Sequence, residues 1–320
     1  MAGTIGLLRQ RADQRALAEV AVDLLRAGSG GRISTTVQLQ QRLDVGSGTV
    51  QKVIRHLVDI GAVELQVMGH KGTVIRELDP ALVWRASGLA PLRMMMPPPG
   101  SIEATAIALG VRDQFSARGL SLEFDFVRGA SRRMRQLDEL ATPAVVLVSK
   151  RAAEALGHLD PALYSWVDLG PESYYQSDSL VVLRRPRIHR RLRVARDPES
   201  PDHSIFTDLA FAGEDVTFVN CSFVDVPGAL LDDVADAGVW HQVLTAITPE
   251  QAGLLVEPWR PKTDLEVTDL ANALLLWRAE FCEVGSLLST VAVEPIVDRM
   301  QDLIALGVNS DTVRESVPWL

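Results

Sequence analysis

Cysteine is nearly absent from this chain of 320 residues, which has only Cys221 and Cys282. Two thiols this far apart make neither a disulfide framework nor a zinc site. Both lie in apolar company, so they are expected as buried thiols of a reducing cytoplasm. Long apolar runs are missing as well: no stretch approaches the roughly 18 residues that a membrane helix needs. The first residues lack a charged segment followed by an apolar run, so neither membrane insertion nor export is expected. Catalytic signatures are equally scarce. The chain has no Gly-x-Ser-x-Gly elbow, Walker loop, dinucleotide glycine pattern or His-Glu-x-x-His. His56, His70, His158, His189, His203 and His241 are scattered without ligand spacing. They read as surface or internally satisfied side chains, with no metal and no cofactor expected. Asp232, Asp233 and Asp236 read either as a carboxylate cluster or as the ordinary wet face of a helix, and an enzyme is not the expectation.

What is present is an ordinary globular composition, 23% charged and 47% hydrophobic, with a net charge of −9 that is unevenly spread. Residues 1–80 carry ten Lys/Arg against eight Asp/Glu, a net +2, which leaves −11 for the remainder. A slightly basic head on an acidic body confines phosphate affinity to the head.

The head has a recognisable order of parts. Asp13 to Ala27 has an inner stripe of Leu17, Val20, Ala21 and Leu24, and the Gly28-Ser29-Gly30-Gly31 turn ends it. Ser34 stands at an N-cap position, with Val37, Leu39 and Leu43 as the buried side of the helix that follows. After Asp44-Val45-Gly46 a second helix is predicted from Ser47 to Asp59. Val50, Val53, Ile54, Leu57 and Val58 face inward there, and Thr49, Gln51, Lys52 and Arg55 face outward. Amides and hydroxyls of that face suit base edges, and its cations suit phosphates. Gly61 closes the helix. Ala62 to Val67 and Thr73 to Ile75 then form a hairpin tipped by His70 and Lys71, which is a wing. Ser34, Thr35, Ser47, Thr49, Gln51, Lys52, Arg55, His70 and Lys71 are the candidate contacts to double-stranded operator DNA.

Asp44-Val45-Gly46-Ser47-Gly48-Thr49-Val50 with Gln51-Lys52 resembles the start of the recognition helix in GntR-type winged-helix regulators. Gly72-Thr73-Val74-Ile75 resembles the second wing strand of that family. The chain departs from the family where it has Ser47 instead of an arginine and Gly46 instead of a hydroxyl residue. This moves base reading towards Gln51, Lys52 and the wing.

Asp79 to Pro91 reads as a connector. Beyond it, Leu92 to Met96, Ile102 to Arg118, Leu120 to Val127, Arg132 to Leu140 and Ala144 to Val148 alternate strand and helix, the rhythm of a parallel α/β sheet. Ligands bind such sheets beyond the carboxyl ends of strands, where helix starts favour anions. Gly100 and Ser101, Arg128, Gly129 and Ser131, and Ser149 and Lys150 stand at three such ends. Asp197 and Glu257 stand at the ends of later strands and complete the candidate set. Leu180–Leu183 and Leu254–Val256 are expected to cross between two lobes. The Arg184–Arg193 stretch has the charge to bind nucleic acid or an acidic ligand, but Pro186 and its mixed apolar positions favour a solvated loop or an interface with local acidic partners.

The predicted fold is α/β: a winged helix-turn-helix over residues 1–78, a linker over 79–91 and a two-lobed domain over 92–320. Lobe one takes 92–180 and 257–320, and lobe two takes 184–253. The two-lobed region resembles the type 2 periplasmic-binding-protein fold. The Met-Pro-Pro-Pro segment, Phe126-Val127-Arg128-Gly129-Ala130 and Val146-Leu147-Val148-Ser149-Lys150, all following such a head, resemble the YhfZ family of regulators. The resemblance implies a sensor lobe pair without naming its ligand. The anion-ready turns lead to the expectation of a small anionic effector between the lobes, the modest charge of the head to a homodimer on DNA, and the two isolated thiols to a cytoplasmic protein. An α/β enzyme fused to a DNA-binding head and a ligand-independent co-regulator scaffold remain the alternatives.

Overall fold

A computed structural model of the chain describes residues 2–98, 100–176, 179–186, 191–243, 245, 247–260 and 271–306. They fall into two units, one drawn from residues 2–92, 112–122 and 281–292, the other from residues 93–111, 123–280 and 293–306.

In the first unit, α1 (Ala2–Ala27) begins well before the expected Asp13. Its buried side is Ala16, Val20, Ala21, Leu24 and Leu25, with Leu17 only partly covered. Helix α2 (Thr36–Leu43) is capped by Thr35 instead of Ser34. Thr35 Oγ1 accepts from the Gln38 N–H at 3.3 Å, and Gln38 Oε1 accepts from the Thr35 N–H at 2.9 Å. Ser34 is not available for the cap, because its N–H and hydroxyl both donate to Asp23, at 2.8 and 2.6 Å. Val37, expected inside, is 60% exposed, while Leu39 and Leu43 are buried. Helix α3 (Ser47–Asp59) has the expected bounds and buries Val50, Val53 and Leu57. Val58, expected inside, is exposed. Strands β1 (Val63–Val67) and β2 (Thr73–Leu78) pair antiparallel around a tight turn at Gly69–Lys71, which makes the wing. The expected connector carries a helix, α4 (Pro80–Ala86). Asp79 caps it by accepting from the Leu82 N–H at 2.9 Å, and Pro80 supplies the preset φ of a first helical residue. Ala81, Val83 and Trp84 are its buried side.

The second unit contains two five-stranded mixed sheets. The chain runs through β3 (Leu92–Met96), α5 (Ile102–Ala117), β4 (Leu122–Phe126), α6 (Ala130–Glu139), β5 (Ala144–Ser149), α7 (Lys150–Ala155) and β6 (Tyr164–Asp168). It continues through β7 (Leu180–Arg184), β8 (Leu192–Arg196), α8 (Pro201–Ala210), β9 (Val216–Asn220), α9 (Val226–Leu231), β10 (Ala237–His241), β11 (Leu255–Pro258) and β12 (Ala273–Arg278). Helix α10 (Cys282–Leu288) belongs to the first unit, and α11 (Glu294–Leu306) to the second.

The first sheet has the order β4-β3-β5-β12-β6, with β3 parallel to β5 and β12 antiparallel to both of its neighbours. Its central strands are apolar on both faces, as helix-covered strands must be, and Met95, Val146, Val148, Leu274 and Leu276 pack against Met134 and Leu137 of α6. The second sheet has the order β11-β7-β10-β8-β9. Leu180, Val182, Val194 and Val239 pack with Phe206 and Trp259 in one cluster, while Val181, Leu183 and Trp240 pack with Val226 and Leu230 in another.

The segments Leu180–Leu183 and Leu254–Val256 do not cross between lobes. Leu180–Leu183 falls in β7, and Leu255 and Val256 fall in β11 just after Leu254; the two strands belong to the second sheet and pair antiparallel with each other. That sheet therefore spans 180–258. The arginine-rich stretch has the acidic partners expected of it. Arg184 pairs with Glu214 and Glu257, Arg191 with Asp215, and Arg185 and Arg193 with Asp233 and Asp236. Residues 187–190 of that stretch lie outside the described ones. Asp236 is not on a wet face but buried beneath this network. Cys221 is half-buried, and Cys282 is exposed. The inner side of α10 is taken by Glu283, Val284, Leu287 and Leu288, so Cys282 at its first position turns outward.

Candidate functional site

The first unit carries a groove of about 570 Å³. Ser34 and Thr35 line it from the start of α2, Gln51 and Arg55 from the outward face of α3, and Thr73 from the wing. Ile54, Val58, Leu65 and Val67 add apolar lining, which accounts for the exposure of Val58. The start of α3 is open because its N-cap, Gly46, has no side chain to cap it. Ser47 is exposed there, and Thr49 is half-buried. Lys52 lies outside the groove and pairs with Asp13 at 2.8 Å, the lysine largely and the aspartate partly exposed. A pair in water holds its partners weakly, so a phosphate can displace Asp13. His70 is exposed at the wing tip; the side chain of Lys71 lies outside what is described.

In the second unit a cavity of about 210 Å³ is lined from both sheets. Three helices begin at its wall. Ser101 and Ala104 come from the start of α5, Gly129, Ala130 and Arg133 from that of α6, and Ser200 and Asp202 from that of α8. Converging helix starts bring N–H groups and positive dipole ends to one place. Aromatic rings line the cavity as well. Tyr175 lies edge-on to Tyr174, His241 and Phe206, with centroids 4.8, 5.2 and 5.3 Å away. At the rim, Arg128 Nη1 donates to Asp225 at 2.9 Å, both half-exposed. Beside it Gly129, at φ +77°, lies so close to Glu199 that a Cβ would stand 2.8 Å from that residue's Cβ.

Behind the lining, Arg133 is 2% exposed and donates to the carbonyls of Leu147 and Val127 and to Tyr174 Oη, at 3.2, 2.9 and 3.0 Å. It is thereby a strut. His241 Nε2 lies 3.2 Å from Glu103 Oε1, both buried. Burial drives the Glu103 carboxyl upward, but the facing His241 and the Gln176 N–H outweigh it, and the net shift is down. His203 is internally satisfied: Nδ1 accepts from the Asp197 N–H at 2.9 Å, and Nε2 lies 2.9 Å from the Val239 carbonyl.

Asp202 is the exception. Its Oδ2 accepts from Ser149 Oγ at 2.5 Å and from Tyr175 Oη at 3.4 Å, but its buried Oδ1 has no partner. Burial pushes its carboxyl up to about 6, against the smaller opposing pull of the Ser149 and Tyr175 hydrogen bonds and the Arg133 charge.

Of the residues expected at a ligand, Ser101, Arg128 and Gly129 line this cavity. Gly100 is adjacent; a Cβ there would meet Val243 Cβ at 3.2 Å. The Ser131 N–H donates to the Glu199 carbonyl at 3.1 Å, and Ser149 sits behind Asp202. Asp197 spends its oxygens on the N–H groups of Glu199 and Phe223 and lines a neighbouring cleft of about 370 Å³ with Arg132. Lys150 and Glu257 are away from the cavity. Lys150 begins α7, and its Nζ lies 3.7 Å from Asp168. Glu257 sits on edge strand β11 and pairs with Arg184 at 3.3 Å. Asp202, Tyr174, Tyr175, Phe223 and His241 also line the cavity and stand outside the expected set; the adjacency of two of the chain's three tyrosines signals Tyr174 and Tyr175 alone.

Among the described residues no helix is long and apolar enough to cross a membrane, and no group of three or more His, Cys, Asp or Glu could hold a metal.

Comparison with known proteins gives matches in both regions. Residues 79–309 match the family described as the YhfZ C-terminal domain, and residues 28–75 match a helix-turn-helix domain. YhfZ of Escherichia coli K12 is 26% identical over 239 residues, covering 73% of this chain and 78% of that protein. The crystal structure of YhfZ from Shigella flexneri superposes with a TM-score of 0.51 at 23% identity, covering 71% of this chain and 95% of the other. The alkanesulfonate-binding protein SsuA from Xanthomonas axonopodis, solved with MOPS bound, covers 71% of this chain and 83% of its own at 14% identity and a TM-score of 0.48.

Proposed function

Because the chain belongs to the YhfZ family, with most of its length inside the match to that C-terminal domain, we propose that it is a DNA-binding regulator whose affinity for an operator is set by a small ligand carrying an anionic group. The observation that carries this is the presence in one chain of a winged-helix groove bearing Gln51 and Arg55 and a partly enclosed cavity at which three helices begin. Gln51 serves base edges, Arg55 and Lys52 serve phosphates, and the wing extends the contact to the neighbouring backbone. A ligand that binds one lobe spacing better than another shifts the population towards it, and DNA affinity follows by linkage. Two heads on a roughly palindromic operator supply the charge that one head of net +2 lacks.

The test is binding of duplexes from the flank of the chain's own gene at several salt concentrations. Arg55→Ala is expected to lower affinity and to flatten the salt slope by about 0.9, the share of one phosphate left without its cation. Gln51→Ala is expected to lower affinity for the preferred sequence while leaving the slope alone. Unchanged binding in both variants overturns the head assignment.

A further inference from the structure

Asp202 is 2% exposed, lines the cavity, and leaves Oδ1 without a hydrogen-bond partner. The cations that act on it are Arg133, whose guanidinium is spent on the Leu147 and Val127 carbonyls and on Tyr174, and Arg151, which pairs with Glu154. Neither donates to Oδ1, so that oxygen lacks both a donor and a charge in contact, and a neutral hydroxyl would supply only the first. The rings of Tyr174, Tyr175 and Phe223 line the same cavity, and Tyr175 Oη lies 3.4 Å from Asp202 Oδ2. Aromatic rings beside a carboxylate form a setting for an ammonium group. Elsewhere on the wall, the starts of α5 and α6 and Arg128 form a setting for an oxyanion. A simple anion filling the cavity would meet Asp202 with like charge, and a simple cation would meet the helix starts. At about 210 Å³ the space lies below the roughly 300 Å³ at which drug-sized sites begin, which calls for a compact molecule.

Resting on the reading of this cavity as the effector site, we propose that the effector is a small zwitterion, its protonated amine on Asp202 and its carboxylate or other oxyanion at the starts of α5 and α6 beside Arg128.

Three matched panels test this by thermal shift and calorimetry on the full chain: the common amino acids with β-alanine, γ-aminobutyrate and taurine; the same acids with the amine replaced by an oxo or hydroxyl group; and the same amines without the acid. The expected result is stabilisation of the wild type by one or more zwitterions and by neither of their truncated counterparts. Asp202→Asn is expected to weaken that zwitterion on the order of 30-fold or more, and Arg128→Gln about tenfold. Asp202→Asn should itself melt no lower than the wild type, which separates lost recognition from lost folding. If acids without the amine bind as tightly as the zwitterions, the amine assignment falls while the cavity stands as the effector site. If zwitterions bind equally to wild type, Asp202→Asn and Arg128→Gln, or if no compound binds, both the assignment and the cavity as effector site fall.

Discussion

An ionised carboxylate at position 202 works against folding. Its carboxyl titrates at about 6 in the folded protein against an ordinary 3.8, so the folded state holds the proton more tightly than the unfolded chain does. The cost is therefore full above pH 6 and disappears as the pH falls towards 4. A difference of that size corresponds to about 3 kcal/mol at neutral pH. Asp202→Asn is expected to stabilise the ligand-free protein at pH 7.5 by about 1 to 3 kcal/mol, with the gain vanishing near pH 4, measured by urea unfolding across that range. The groups acting on this carboxylate, Ser149, Tyr175, Arg133 and Arg151, remain in place in the variant. Gly129 makes the opposite case. At φ +77° and with Glu199 Cβ 2.8 Å from any added Cβ, Gly129→Ala is expected to cost about 1 to 3 kcal/mol and to weaken whatever ligand the cavity takes, read by the same unfolding series and by calorimetry. The glycine is legible in the sequence because it sits at the end of a strand, before a helix. Asp202 is not: Ser200-Pro201-Asp202 reads as cap, first residue and first-turn acid, and the burial that sets it apart comes from Ser149 and Tyr175, distant in the chain.

Elements with one strong period are legible, and those whose partners lie far away are not. Helix α3 follows from the sequence to the residue because Val50, Val53 and Leu57 repeat at helical spacing and Gly61 ends the run. Leu57→Ala, which empties a fully buried site, is expected to cost about 3 kcal/mol and to abolish DNA binding by loosening the head. Helix α2 is right in kind but one residue off at its cap, because the competing Asp23 carboxylate lies on another helix. Thr35→Ala is expected to cost about 1 kcal/mol, and Ser34→Ala to act through Asp23 instead of through the helix end; double-mutant unfolding cycles with Asp23→Ala and Gln38→Ala check both. Strands β7 and β11 are recognisable as strands, but their role is not. A buried apolar run of four or five residues carries no mark of which sheet it joins, and antiparallel pairing over a separation of about seventy residues leaves no local period. The helix α4 is present in the sequence as Asp79-Pro80, a cap followed by a first-position proline, inside a stretch that otherwise reads as a connector.

At the scale of the whole molecule, charge and lobes divide the work. The head at net +2 and the remainder at −11 mean that DNA is held by few cations and repelled by the rest. If two heads each neutralise about three phosphates, affinity is expected to fall roughly 10³-fold between 50 and 200 mM salt, measured by fluorescence anisotropy. A fall half as steep on a logarithmic scale would mean that one head binds alone. The rim of the cavity adds something that affinity alone does not describe. Arg128 and Asp225 pair there beside Gly129 and Glu199, each more than half exposed. A side-chain pair that solvent reaches parts and re-forms within picoseconds to nanoseconds, so it sets no slow step on entry or exit. A ligand held behind it would exchange freely, and the chain would follow the momentary level of that molecule in place of a running average.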